Sequence, residues 1–189
     1  VVAAGNGQGT FLVTDDLAHA FTAPDARRKA IDSATGTRKY YYTNKYFDPA
    51  ITKANDAGND WIVLRYADVL LMAAEAYNEQ GLTDKALPYL NEVRHRAALS
   101  ASTTTDKIAL RPEIALERRL ELNCEGHRWF DLVMNGQAKP VMNAFFEKYK
   151  ADDDQAGKNS TIQDNELIFP IPGFQVKLNP EKIKQEPGY

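Results

Sequence analysis

Cysteine and histidine are scarce in this sequence, which has one cysteine and three histidines among 189 residues. A single cysteine excludes an intramolecular disulfide framework and any cysteine-rich zinc site. A carboxylate-bridged di-iron bundle needs two Glu-x-x-His pairs, and only His95, three residues after Glu92, has that spacing. The sequence therefore predicts neither a bound metal nor another cofactor.

An excess of positive charge and a long apolar run are also missing. The 23 basic and 26 acidic residues give a formal net charge of −3, whereas nucleic-acid binders normally carry a basic patch. No run approaches the ~18 apolar residues of a membrane-spanning helix. The composition, 43% hydrophobic and 26% charged, is that of a globular protein. Because the sequence opens at Val1 without an initiator methionine or signal peptide, we expect a mature or truncated product.

Helical periodicity dominates the middle of the chain. The clearest run predicts a helix over residues 61–80, ended by Gly81, and a second helix follows with Thr83 as its cap. Two helices joined by a short turn resemble one tetratricopeptide repeat, whose period is ~34 residues. About three repeats are needed for a stable stack. We therefore expect neighbouring repeats or other segments to cover this pair.

The remaining segments complete a mainly α fold. A Thr-Asp-Asp run at residues 14–16 predicts a short capped helix, and the tyrosine-rich run 38–47 predicts an extended segment. Further helices are predicted over residues 112–123, 127–134 and 140–150. We expect one domain overall, made of a loop-rich segment (1–60), a helical core (61–150) and an irregular C-terminal segment that packs on it (151–189).

No catalytic constellation stands out. The chain has no Gly-x-Ser-x-Gly elbow, and the neighbouring Glu125 would raise rather than lower the pKa of Cys124. The sequence predicts a protein that is not an enzyme. A glycosidase remains an alternative, since the number of acidic residues does not exclude a pair of catalytic carboxylates.

A tyrosine cluster offers the best candidate for ligand binding. Aromatic rings can cover the apolar C–H face of a sugar while nearby polar groups hydrogen-bond its hydroxyls. The alternative is that alternate tyrosines pack one face of an extended segment onto the helices. The candidate ligand-binding residues are Tyr40, Tyr42, Asn44 and Tyr46.

Glutamates recur every four residues at Glu113, Glu117, Glu121 and Glu125. This spacing places them on one side of a helix. Arginines close in sequence, such as Arg94 and Arg118, would form ion pairs with these carboxylates and repel a metal ion. The pattern predicts a structural ion-pair network.

Several runs, in order along the chain, resemble the SusD/RagB family. They are residues 65–76 (RYADVLLMAAEA), 90–97 (LNEVRHRA), 117–122 (ERRLEL) and 125–132 (EGHRWFDL), followed by 169–172 (FPIP), 179–180 (NP) and 187–189 (PGY). Together with the sequence around them they cover about two-thirds of the chain. The resemblance implies the C-terminal part of a SusD-like fold, a tetratricopeptide-like helical hairpin with additional helices and long irregular loops. The charged residues within the motifs are interpreted as a structural ion-pair network: Arg65, Glu75, Arg118, Glu125, Arg128 and Asp131.

The same resemblance implies a function in nutrient uptake and polysaccharide utilisation. Members of the family are lipid-anchored proteins of the outer membrane that bind glycans or other nutrients at the cell surface. They deliver them to a SusC-like TonB-dependent transporter. We expect this chain to lack the lipidated cysteine and the earlier repeats of the longer protein. A helical-repeat scaffold that binds a protein and no sugar is the alternative.

Overall fold

The computed structural model describes residues 12–35, 39–50, 58–150 and 161–189. Two compact units divide the chain, Val1–His127 and Arg128–Tyr189. Residues 151–160, the start of the predicted irregular segment, lie outside the described residues. Helices make up most of the described secondary structure, so the mainly α class is confirmed.

The first unit begins with a short helix and a small sheet. Helix α1 (Asp15–Ala20) is capped by Thr14, whose hydroxyl oxygen accepts from the Leu17 N–H at 3.4 Å, which confirms the predicted capped helix. Strands β1 (Leu12–Val13), β2 (Ile31–Thr35) and β3 (Lys39–Thr43) form an antiparallel sheet in the order β1-β3-β2. Strand β3 confirms the predicted extended segment, whereas its two partner strands were not predicted.

Three helices form the core of the first unit: α2 (Tyr66–Glu79), α3 (Thr83–Arg96) and α4 (Lys107–Glu121). Their shared apolar cluster includes Leu71, Leu90 and Leu110, which are fully buried. The predicted helical pair is present as α2 and α3. Gly81 lies at the turn with φ +75°, where an L side chain would be strained.

The start of α2 differs from the prediction. The helix begins at Tyr66 and not at Trp61, because Arg65 is extended (φ −150°, ψ 160°). In that conformation its guanidinium binds Glu121 and Glu125. The gain of these ion pairs explains why residues 61–65 stay outside a helix that their apolar periodicity favours.

The starts of α3 and α4 also correct the prediction. Thr83 is the first residue of α3 and not its cap, and its hydroxyl donates to the Thr105 carbonyl at 2.9 Å. Helix α4 begins at Lys107 and not at Pro112, because the Asp106 carboxylate caps it by accepting from Ala109 N–H at 2.8 Å. Pro112 therefore lies inside the helix, where it removes one backbone hydrogen bond.

The second unit contains three α-helices among its described residues, α5 (Arg128–Met134), α6 (Ala138–Tyr149) and α7 (Gly173–Leu178), and a short 3-10 helix at Asn165–Leu167. Helices α5 and α6 confirm two predicted helices, with α6 starting two residues early. Helix α7 corrects the expectation of a wholly irregular C-terminal segment. In the described parts of both units, no helix is long and apolar enough to cross a bilayer.

Candidate functional site

Charged side chains of the first unit converge on the C-terminal half of α4. Glu117 and Glu121 lie one turn apart on this helix, Glu125 follows four residues later, and all three are buried. We call the following group the ion cluster: Asp25, Arg27, Lys45, Arg65, Arg94, Arg96, Glu117, Glu121 and Glu125.

Lys45 and Arg65 bind the end of α4. Arg65 donates to both carboxylate oxygens of Glu125, at 2.7 and 2.9 Å, and to the Glu121 carbonyl at 2.6 Å. The Lys45 ammonium donates to Glu125 Oε1 at 2.6 Å and to the carbonyls of Glu121 and Asn123 at 2.7 and 2.9 Å. Cations are favourable at a helix C-terminus, because the last carbonyls carry partial negative charge.

Glu121 is the centre of the cluster. Its carboxylate pairs with Arg27 at 2.9 Å and also with Arg65 and Arg96. Burial would raise the pKa of Glu121, but the hydrogen bond and charge of Arg65, with those of Arg27 and Arg96, hold it below its ordinary value. The carboxylate is therefore anionic at neutral pH, and the cations that surround it satisfy its oxygens.

The charged residues named in the sequence motifs occupy four places. The structure brings Arg65 and Glu125 together, as described above. Arg118 instead donates to Asp68 on α2 at 2.9 Å, and Glu75 lies further along α2, half-buried and outside the ion cluster. Arg128 and Asp131 are on α5 in the second unit.

The candidate ligand-binding tyrosines lie on the small sheet. Tyr40 and Tyr42 alternate with Tyr41 along β3, so that both point to one face. The register places Tyr42 opposite Leu12 on β1 and Asp32 on β2. Leu12 is 51% exposed, whereas its neighbour Val13, on the other face, is 6% exposed. The face with the two tyrosines is thus turned to solvent. We call it the open face, made of Leu12, Asp32, Ala34, Tyr40 and Tyr42.

Asp32 connects the polar groups of the open face. Its carboxylate accepts from the Ser33 N–H at 2.7 Å and lies opposite Tyr42 in the strand pairing. The Ser33 N–H, and to a smaller extent the nearby side chains of Tyr42 and Asn44, hold the pKa of Asp32 below its ordinary value. Partial burial and the Asp32 carboxylate raise the pKa of Tyr42. At neutral pH the open face therefore presents an anionic carboxylate beside neutral phenol rings.

Tyr46, the fourth candidate, lies elsewhere. Strand β3 ends at Thr43, and a turn closed by the hydrogen bond from Phe47 N–H to the Asn44 carbonyl at 3.1 Å redirects the chain. The Tyr46 ring stacks on Trp61, with centroids 5.0 Å apart and an interplanar angle of 11°, and its hydroxyl donates to the Cys124 carbonyl at 3.2 Å. The structure therefore brings Tyr40, Tyr42 and Asn44 together but separates Tyr46 from them.

The ion cluster explains the position of this stack. Lys45 immediately precedes Tyr46, and Arg65 follows Trp61 by four residues along a segment outside any helix or strand. Both cations bind Glu125, so the two ring-bearing segments are held at the same end of α4. A charged network in the interior thereby sets the positions of two aromatic side chains at the surface.

Sequence reasoning missed Asp32 as a site residue. Its segment carries little apolar alternation, and only the pairing register across β2 and β3 shows that it faces Tyr42. Together these groups can stack on an apolar ring face and accept hydrogen bonds from hydroxyls. Within the described ranges, no three His, Cys, Asp or Glu side chains are arranged to hold a metal ion.

Comparisons of the sequence and of the structure with known proteins point to the same family. A profile of the SusD family matches residues 25–189. SusD-like protein P38 of Formosa agariphila is 38% identical over 155 residues, which cover 77% of this chain and 28% of that protein. A SusD superfamily structure from Bacteroides vulgatus is 30% identical, with a TM-score of 0.61 over 79% of this chain and 33% of that one.

The fold is also shared with a protein of lower identity. Surface glycan-binding protein A from Bacteroides uniformis is 24% identical, with a TM-score of 0.70 over 91% of this chain and 40% of that one. The chain thus spans between 28% and 40% of the length of the three proteins to which it is compared.

Proposed function

This chain belongs to the SusD family, and on that premise we propose that it binds a glycan, or another nutrient, at the cell surface without altering it chemically. The observation that carries the proposal is the open face, where Tyr40, Tyr42, Asp32 and Asn44 come together. The fold shared with a surface glycan-binding protein is consistent with it.

The chemistry of the open face suits a sugar. Tyr40 and Tyr42 are two positions apart on one strand, about 7 Å by strand geometry, so their rings can cover the C–H faces of successive parts of a glycan. The Asp32 carboxylate and the Asn44 amide lie beside Tyr42 and can accept or donate hydrogen bonds to ring hydroxyls. Since the Ser33 N–H already holds the carboxylate, less side-chain entropy would be lost on binding.

Delivery of the bound glycan is the second part of the proposal. We infer that the protein passes its ligand to a SusC-like TonB-dependent transporter and that it resides, lipid-anchored, at the outer membrane. Family membership supports both statements. Transfer needs reversible binding and no bond cleavage, in agreement with a protein that is not an enzyme.

Native affinity electrophoresis against a polysaccharide panel tests the binding proposal. The double variant Tyr40→Ala/Tyr42→Ala is compared with wild type and with Tyr66→Ala, which removes an exposed tyrosine of α2. We expect one polysaccharide to retard wild type and Tyr66→Ala, and the double variant to migrate without retardation. Circular dichroism verifies that the double variant is folded. Equal retardation of all three proteins would contradict a site at the open face.

A helical-repeat scaffold is the second candidate, and one observation favours it. Tyr66, Val69 and Met72 follow one another at three-residue intervals along α2, and all three are exposed. An apolar stripe of this kind is typical of a protein-docking surface. The electrophoresis separates the two candidates, because a scaffold would be retarded by no polysaccharide.

A further inference from the structure

The open face carries a fixed negative charge among uncharged groups. Of the five side chains that define it, Leu12, Ala34, Tyr40 and Tyr42 are neutral at physiological pH, and Asp32 is exposed. The neighbouring Asn44 is also neutral. A ligand that lies across the two tyrosines would therefore meet a single carboxylate.

The surroundings of Asp32 fix where that charge lies. Its carboxylate accepts from the Ser33 N–H at 2.7 Å, and the strand pairing places it opposite Tyr42. An ionised carboxylate offers about four acceptor positions, and Asp32 is exposed. Acceptor positions that face solvent can take a donor such as a sugar hydroxyl, but a carboxylate has no hydrogen to donate to an anionic group.

We propose that the open face selects neutral glycans over acidic ones and that Asp32 is the residue that makes this selection. The inference rests on the proposed glycan-binding function and names the ligand class for that same site. Hydroxyls of a neutral sugar donate to the carboxylate, whereas the carboxylate of a uronic acid or the sulfate of a sulfated sugar repels it. Two unit charges ~4 Å apart in water repel by an energy equivalent to about a fivefold loss of affinity.

The experiment uses matched pairs of polysaccharides. Soluble β-glucan, mannan and galactan are each prepared in the neutral form and after oxidation of the C6 carbinol to a carboxylate. Affinity electrophoresis and calorimetry then compare both forms with wild type and Asp32→Asn. The control is Glu92→Gln, which removes one negative charge from an exposed position on α3 and so changes the net charge equally.

We expect wild type and Glu92→Gln to bind one neutral polysaccharide at least about fivefold more tightly than its oxidised form. In Asp32→Asn the ratio of the affinities for the neutral and the oxidised form falls towards one. The neutral form also binds about fivefold less tightly to that variant, because the charge-assisted hydrogen bond is lost. Raising the ionic strength from about 20 to about 500 mM should strengthen binding of the oxidised form to wild type, since salt screens the repulsion.

The outcomes distinguish this inference from the function on which it rests. If wild type binds both forms equally, or prefers the oxidised form, the proposed selectivity for neutral glycans is wrong, but the proposed glycan binding is not contradicted. If Asp32→Asn is folded and keeps the full preference, Asp32 does not make the selection. If wild type binds none of the probes in either form, the proposed glycan binding by this chain is contradicted and the selection falls with it. The salt series on wild type requires no variant and therefore does not depend on the folding of Asp32→Asn.

Discussion

Arg65 binds Glu125 through two N–H donors, at 2.7 and 2.9 Å, across sixty residues of sequence. Arg65 is the extended residue before α2, and Glu125 follows the end of α4. The pair therefore joins the segment that carries Trp61 to the helix on which the other carboxylates lie. Because Lys45 binds the same carboxylate, the turn after the small sheet is attached at this point too.

Glu121 should be the most sensitive carboxylate of the ion cluster. Its side chain is buried and pairs with Arg27, Arg65 and Arg96. Glu121→Gln keeps the shape but leaves these cations without their shared anion. We expect the free energy of unfolding to fall by about 3 kcal/mol, as when one partner of a buried ion pair is removed. Urea unfolding measures it, with the exposed Glu92→Gln as the control. Equal stability of the two variants would disprove a stabilising role.

The same carboxylate should contribute to the pH dependence of stability. The pKa of Glu121 is lower in the folded chain than the value of 4.5 of an unperturbed glutamate. Between the two pKa values the unfolded chain binds the proton and the folded chain does not, so acid favours unfolding. The stabilisation is complete above the unfolded pKa and is lost as the pH falls through the folded one.

Urea unfolding at about pH 6 and about pH 3 measures this contribution. We expect wild type to lose more stability over this interval than Glu121→Gln, which has no carboxyl at that position. An identical loss for wild type and Glu121→Gln would show that Glu121 titrates alike in both states.

The Asp106 cap should set the start of α4. The carboxylate of Asp106 accepts from the Ala109 N–H at 2.8 Å, and the helix contains Pro112, whose missing N–H weakens its first turns. Removing such a cap costs about 1 kcal/mol. We expect Asp106→Ala to lower the thermal midpoint measurably and Asp106→Asn, which keeps an acceptor oxygen, to lower it much less. Equal midpoints for both variants would contradict the capping role.

Helical periodicity, which is local, gave the correct identity of most helices, but their ends depended on distant residues. Residues 61–80 are predicted as one helix because their apolar positions repeat regularly. The interaction of Arg65 with Glu125 keeps Arg65 extended, and the first five residues lie outside the helix. Pro112 has the right chemistry for a first helical residue, but the Asp106 cap moved the start by a turn and a half.

In the candidate site, too, local sequence patterns identified some residues, but contacts between distant residues could not be predicted. A tyrosine-rich run predicted Tyr40 and Tyr42, since strand alternation is a local property. The partner Asp32 could not be identified, because its position opposite Tyr42 is set by the pairing of two strands. Tyr46 continues the alternate spacing of Tyr40 and Tyr42 in the sequence. Strand β3 ends at Thr43, however, so alternation no longer decides which way the Tyr46 side chain points.

Tyr46 and Tyr40 should therefore respond differently to the same substitution. Tyr46→Ala removes the stack on Trp61 and the hydrogen bond to the Cys124 carbonyl, which together stabilise by about 2 kcal/mol. Tyr40→Ala removes a half-buried ring from the open face, where it would contact ligand. We expect Tyr46→Ala to lower the melting temperature while the folded protein keeps its polysaccharide affinity, and Tyr40→Ala to weaken affinity with a smaller change in melting temperature. Thermal unfolding and affinity electrophoresis on both variants measure the two effects. If Tyr46→Ala abolishes retardation at a temperature where it is folded, the ligand contacts the Tyr46–Trp61 stack and not the open face alone.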